Sequence, residues 1–211
     1  MHIRLAQLDE LHILENLARQ IWPATYADII SQEQIDFMLN WMYSFPALRQ
    51  QQEEGHEFYI LNHEDQDIGF IAIEWINEPQ QSDSAQLKIN KLYVLTECQG
   101  KGMGRALFEK AKERATETGC KAIFLQVNKA NQAKNFYLQL GFQVREEAVF
   151  DIGNGFVMDD YIMALALWVF CIFVNQNLTH AKNWHAQPYL AQNNAQLDAK
   201  IWLRQVHSSR A

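Results

Sequence analysis

The chain has 211 residues, 48% of them apolar and 20% charged, with a net charge of −7. These figures fit an ordinary soluble globular protein with one sizeable core and an appendage, and they speak against a general affinity for nucleic acid. The opening "MHIRLAQLDELHILENLARQ" has acids at helical spacing and no long apolar run, unlike a secretory signal. Cys98, Cys120 and Cys171 lie far apart with no CxxC or metal-ligand spacing, and their odd number argues against a disulfide framework. A reducing cytoplasm is the expected setting. The histidines are scattered with no HExxH spacing, so no metal site is expected.

In chain order, "IRLAQ" reads as a short strand and Asp9 as the cap of a helix from about Glu10 to Ile21. Pro23 interrupts the pattern. A second helix follows in "SQEQIDFMLNWMY", with Ser31 as N-cap and Gln34 completing a capping box. "HEFYILNHEDQDIGFIAIEWI" predicts two strands around a polar turn, with Gly69 near the start of the second. "QLKINKLYVL" is a further strand, alternating through Leu87, Ile89 and, less cleanly, Leu92. A helix after Gly104 ends at Gly119. "KAIFLQV" is a strand, Asn131 opens a helix that Gly141 closes, and two strands follow. The order predicts a three-layer α/β domain with a mostly antiparallel sheet.

The tail differs in composition. Residues 1–163 hold 14 Lys/Arg and 24 Asp/Glu, a balance of −10, and residues 164–211 hold 4 and 1, a balance of +3. The apolar run from Tyr161 to Val174 is shorter than the roughly 20 residues of a membrane-spanning helix. We read a domain over residues 1–167 and an extension over 168–211. The apolar start of that extension is a candidate cover for a sheet edge or a homodimer contact.

The chemistry centres on "TECQGKGMGRALFEKAKE". Gly100, Gly102 and Gly104 precede a helix whose first N–H groups lack intrahelical partners and favour an anion such as a pyrophosphate. GxxxxGK[ST] is absent, and GxGxxG fails because Arg105 stands where the third glycine is needed. What fits is Q-x-x-G-x-G, formed by Gln99, Gly102 and Gly104. Between "KLYVL" and a long helix, this resembles the acetyl-CoA loop of the GNAT acyltransferase superfamily. "FLQVNKANQAKNFYLQLGF" resembles that superfamily's strand, Asn-led helix and terminal "FY..LGF". "IWPATYADIISQEQIDFMLNWMYS" and "DIGNGFVMDDYIMAL" resemble the branch containing polyamine (spermidine/spermine) N-acetyltransferases.

The resemblance implies a GNAT-like α-β-α sandwich and acetyl-CoA as co-substrate. It implies that the Tyr93 and Val94 backbone binds the pantetheine arm and polarises the thioester. Gln99, Gly100, Lys101, Gly102, Met103, Gly104 and Arg105 would hold the pyrophosphate, mainly through main-chain N–H groups, and Asn131 would contact the CoA arm. For Lys101 and Arg105 a solvated face is an equal alternative, and for Asn131 a simple helix cap. Tyr137 would protonate the departing thiolate, its alternative being a core aromatic beside Phe136.

The acceptor must lose a proton to attack, because an alkylammonium has a pKa near ~10. Glu74, an acid in an apolar strand, is the first candidate for the base. Asp159 and Asp160 are alternatives, as polyamine contacts or as a charged strand end. Trp22, Trp41 and Trp75 read as core, and Tyr26 as either core or acceptor-facing. The expected reaction is acetyl transfer to a primary amine, a polyamine or other small cation, by direct attack in a ternary complex. The alternatives are a regulatory acetyl-CoA-binding module without turnover and acetylation of a protein or peptide amine.

Overall fold

The computed structural model describes residues 1–76 and 85–167. The extension 168–211, and the dimer contact suggested for it, lie outside the described residues. One seven-stranded sheet runs in the order β1-β2-β3-β4-β5-β7-β6. Its strands are β1 (His2–Leu5), β2 (Glu57–His63), β3 (Gln66–Ile76), β4 (Gln86–Val94), β5 (Ala122–Asn128), β6 (Gln143–Gly153) and β7 (Phe156–Ala166). Every neighbouring pair is antiparallel except β4 with β5. Helices α1 (Leu11–Tyr26), α2 (Gln32–Tyr43) and α3 (Phe45–Glu53) cover one face, and α4 (Met103–Glu117) and α5 (Ala133–Gln139) the other. The expected three layers are present, with a separate hydrophobic core on each side of the sheet.

Helix α1 departs from expectation at both ends. Asp9 does not cap it: a 3-10 turn, Leu8–Glu10, precedes the helix, and the Glu10 carboxylate accepts the Gln7 N–H at 2.9 Å. Nor does Pro23 end it, since the helix continues to Tyr26 and the Ala27 N–H reaches the Pro23 carbonyl at 3.1 Å. A proline inside a helix costs about 3 kcal/mol. Burial of Ile21 and Trp22, with Tyr26 packed 4.4 Å from the Trp22 ring, offsets that cost.

Ser31 caps α2 by accepting the Gln34 N–H at 3.2 Å, as expected. The return half of the capping box does not form. The Gln34 side chain instead donates to the Val157 carbonyl at 2.8 Å and ties α2 to β7. Helix α3 has no counterpart in the sequence reading, because it buries Leu48 alone and its end is polar. The tail's change of composition falls inside β7. Met163 and Ala164 are buried, β7 runs to Ala166, and the Leu167 N–H bonds the Lys121 carbonyl at 2.8 Å, so the change of composition does not mark the end of the sheet.

The uneven alternation of β4 has a structural cause. Ala72 pairs with Lys91 and Ile73 with Ile89, so Asn90 is an extra residue, a β-bulge. Leu87 and Ile89 face the α4 side before the bulge, and Leu92 and Val94 face it afterwards. The bulge thus shifts the phase by one and turns Lys91 and Tyr93 toward α1–α3.

Candidate active site

Strands β4 and β5 pair only from Gln86↔Ala122 to Ile89↔Leu125. Beyond the bulge they part, while β5 stays paired with β7 as far as Asn128↔Asp160. The parted strands leave backbone N–H groups of β4 without a strand partner on that side. A cavity of about 1030 Å³ opens there and extends under α1, α2 and α3.

The glycine loop forms one wall. Gly100 and Gly102 have φ of +74° and +85°, a left-handed backbone that non-glycine residues rarely adopt, and a Cβ at either would meet nothing within 4 Å. Gln99, Gly100, Gly102, Gly104 and Arg105 line the cavity. The Gln99 side chain donates to the Val94 carbonyl at 3.0 Å, so it fastens the loop to β4. Lys101 is exposed and does not line the cavity, and the Met103 side chain lies in the core beneath α4. For Lys101 this favours the solvated face, and Met103 has only its N–H to offer. An open cradle, a helix N-terminus and a deep adjoining cavity fit the pyrophosphate and arm of CoA.

Tyrosines converge on the gap. Tyr137 is 7% exposed, lines the cavity and packs 5.3 Å from the Phe136 ring and 5.7 Å from the Phe142 ring. Burial pushes its phenol up, so it is protonated at neutral pH. Across the gap, the Tyr26 and Tyr93 hydroxyls lie 3.3 Å apart; Trp22 backs both rings, and Tyr43 packs on Trp22 and Tyr93. Asn131 also lines the cavity, and its Oδ1 accepts the N–H of Ala133, the first residue of α5, at 2.8 Å, although the cap position itself is Gln132. Of the tryptophans, Trp22 and Trp41 reach the cavity wall, whereas Trp75 lies away from it and donates to Thr118 Oγ1 at 3.0 Å.

The candidate bases differ sharply. Glu74 does not line the cavity. It sits behind the wall, with Oε2 2.9 Å from His56 Nε2 and Oε1 3.3 Å from Lys88 Nζ. Burial alone pushes its carboxyl up, but the His56 hydrogen bond and the Lys88 charge outweigh that and hold it well below the usual range. A carboxylate so stabilised is a poor proton acceptor. Its place suggests a strut instead, since Asn90 at the bulge lies 3.5 Å from His56 Nδ1. Asp160 is 2% exposed, lines the cavity, and has Oδ1 buried without a hydrogen-bond partner. Burial, reinforced by Asp159 and opposed by Lys129, pushes its carboxyl up to about 7. Asp159 itself bonds Lys129 at 2.6 Å outside the cavity lining. Among the described residues no group of three His, Cys, Asp or Glu is placed to hold a metal ion.

The family description "Acetyltransferase (GNAT) domain" matches residues 26–163, the stretch that supplies most of this cavity's lining. The chain belongs to the GNAT acetyltransferase family. It is similar to a spermidine N(1)-acetyltransferase of Thermoplasma acidophilum, 28% identical over 165 residues, covering 75% of this chain and 96% of the relative. An uncharacterised N-acetyltransferase of Methanocaldococcus jannaschii is 31% identical over 105 residues, 48% of this chain and 45% of that protein. Another, from Lactobacillus delbrueckii, is 30% identical over 54% of this chain and 66% of its own length. The matches to these two thus span between about half and two thirds of their lengths. Among solved structures, the PaiA N-acetyltransferase of T. acidophilum in complex with coenzyme A has a TM-score of 0.64 at 25% identity, covering 79% of this chain and all of that one. The matched residues thus form an acetyltransferase domain of this family. Among the described residues, no helix is long and apolar enough to cross a membrane.

Nothing in the sequence singles out Lys91, a residue of this GNAT cavity that is 3% exposed. Its amine bonds Gln51 Oε1 and lies 5.2 Å over the Tyr43 ring. Burial pushes it down to about 7. Between that value and the ordinary 10.5, the unfolded chain holds a proton that the folded chain has released, so wild-type stability rises with pH over this window. Lys91→Met lacks this gain. Its Tm advantage over wild type is therefore expected to shrink from pH 7 to pH 10, within a ceiling of roughly 4 kcal/mol at 1.36 kcal/mol per pKa unit. A constant Tm difference across that range contradicts the assignment.

Proposed function

We propose that this GNAT domain, residues 1–167, acetylates a primary amine on a small cation, with a polyamine as the favoured acceptor, by direct attack in a ternary complex. The observation that carries this reading is the parted β4–β5 pair, with Tyr137 facing one cavity shared by the glycine loop and the tyrosine-lined chamber. On this reading Met103, Gly104 and Arg105 N–H groups hold the pyrophosphate, with Gly100 and Gly102 giving close approach. The free N–H groups near Tyr93 and Val94 stabilise the oxyanion. Tyr137 gives its proton to the departing thiolate, and Asn131 contacts the CoA arm.

The polyamine acceptor is supported by the spermidine-acetylating relative and by the buried carboxylate of Asp160. Glu54 and Asp28 add acidic groups to the same wall. The opposing positive charge is weakened, since Lys88 is paired with Glu74 and burial lowers the Lys91 amine. The free thiols of Cys98 and Cys120 support a cytoplasmic setting.

A thiol-release assay with acetyl-CoA and a panel of spermidine, spermine, a lysine peptide and an aminoglycoside tests the reading. We expect CoA release that depends on spermidine or spermine. Turnover with the lysine peptide alone transfers the function to protein acetylation. Tight CoA binding with no turnover across the panel leaves a regulatory module.

A further inference from the structure

We propose that Asp160 is the general base that takes the proton from the acceptor ammonium, an inference that rests on the amine-acetylation reading above. Asp160 is fixed on β7 between Asn128 of β5 and Ala148 of β6, at the point where β5 ends beside the gap. Its side chain is 2% exposed yet reaches the cavity, and Oδ1 is buried with no donor. A buried carboxyl oxygen without a donor is costly, and such groups in a native fold call for an explanation. An incoming N–H group supplies the missing donor.

The surroundings suit proton transfer. Tyr26 of α1 lies close enough for the Asp160 charge to act on its phenol, and the Tyr26 hydroxyl meets that of Tyr93 at 3.3 Å. The other charges near Asp160 are Asp159 on β7 and Lys129 in the turn after β5. Lys129 is already shared between Asp159 and Glu147 of β6, so it does not neutralise Asp160 directly. With burial dominating, the carboxyl titrates near neutrality, where a base is most effective. Glu74, behind the wall and held ionised, lacks both properties.

The protons balance. Asp160 takes one proton from R–NH3⁺ and later releases it to solvent. The free amine attacks the thioester carbonyl, the C–N bond forms, and the C–S bond then breaks. The second nitrogen proton replaces the one that Tyr137 has given to sulfur. The products are the amide, CoA thiol and one proton in solution.

The test compares wild type, Asp160→Asn and Asp160→Glu, with acetyl-CoA and spermidine, from pH 6 to pH 10. Thermal melts and CoA titrations of each confirm the fold and cofactor site. For wild type, kcat/KM is expected to fall on the acid side with an apparent pKa near 7, and kcat with one lowered by the bound ammonium. Asp160→Asn is expected to lose about 10²-fold in kcat at pH 7 and recover tenfold per pH unit as the amine deprotonates itself. Asp160→Glu is expected to restore part of the rate. If Asp160→Asn raises KM for spermidine but keeps wild-type kcat and its acid limb, Asp160 is a charge anchor and the proposal is overturned. Unchanged kinetics overturn it equally. If wild type turns over no amine in the panel while binding CoA, the acetylation reading has failed first, and this assignment falls with it.

Discussion

Tyr137→Phe is expected to lower kcat with spermidine by about 10²–10⁴-fold, the range for losing a general acid. Kd for CoA and Tm are expected to stay close to wild type. The substitution removes one oxygen and keeps the ring, which packs against Phe136 and Phe142 and is 7% exposed. The phenol is pushed up by burial, so at neutral pH it holds a proton to give, and not a charge to stabilise. A CoA thiolate expelled into the gap needs that proton, because an ordinary thiol has a pKa near ~8.5 and leaves poorly as an anion from a dry site. Steady-state thiol release and calorimetric CoA binding on the same preparation separate the outcomes. Unchanged kcat would move the acid to a water molecule. A weakened CoA affinity with kcat preserved would make the hydroxyl a binding group.

The glycine-loop wall of this cavity was legible because its determinants are local. Left-handed φ at Gly100 and Gly102 and the free N–H groups of α4 are consequences of a short stretch of chain, and the spacing of three glycines announces them. Ser31 was legible for the same reason. The opposite wall of the cavity is assembled from α1, α2, α3, β4 and β7, and its character depends on pairs distant in sequence. Glu74 stood out as an acid among apolar residues, but the fact that His56 and Lys88 hold it behind the wall depends on β3, β4 and the residue before β2 at once. Lys91 carries no mark in the sequence, and the bulge at Asn90 turns it inward. The bulge left only a faint trace, the imperfect alternation at Leu92. Pro23 misled because local chemistry argued for a break, whereas packing of Trp22 and Tyr26 kept the helix intact. Asp160 lies beside Asp159 in the sequence with nothing to distinguish them. Only the fold sends one to Lys129 and the other into the cavity.

Gly69→Val is expected to impair the reaction from the far side of β4. Gly69 pairs with Val94, and a Cβ there would lie 2.6 Å from the Tyr93 carbonyl oxygen and 3.1 Å from Val94 Cα. Both obstacles are backbone, so neither can swing aside, and β4 itself must shift. That segment carries the N–H groups proposed for the oxyanion, and it is already unpaired toward β5 beyond Leu125. A displacement of about 1 Å at a site of this kind costs about 10²-fold in rate, and overpacking costs about 1–3 kcal/mol in stability. Ile71→Val serves as the control: Ile71 is fully buried on the same strand, and its truncation costs about 0.5–1.5 kcal/mol without pushing on Tyr93. Stability by denaturant melts and kcat per folded molecule, measured at a temperature where both variants are folded, distinguish local distortion from general weakening. Gly69→Val should lose rate out of proportion to its loss of stability, and Ile71→Val should not. Equal kcat in the two folded variants would mean that the Tyr93–Val94 backbone does not hold the transition state, and the oxyanion site would then have to be sought among the other N–H groups of the gap.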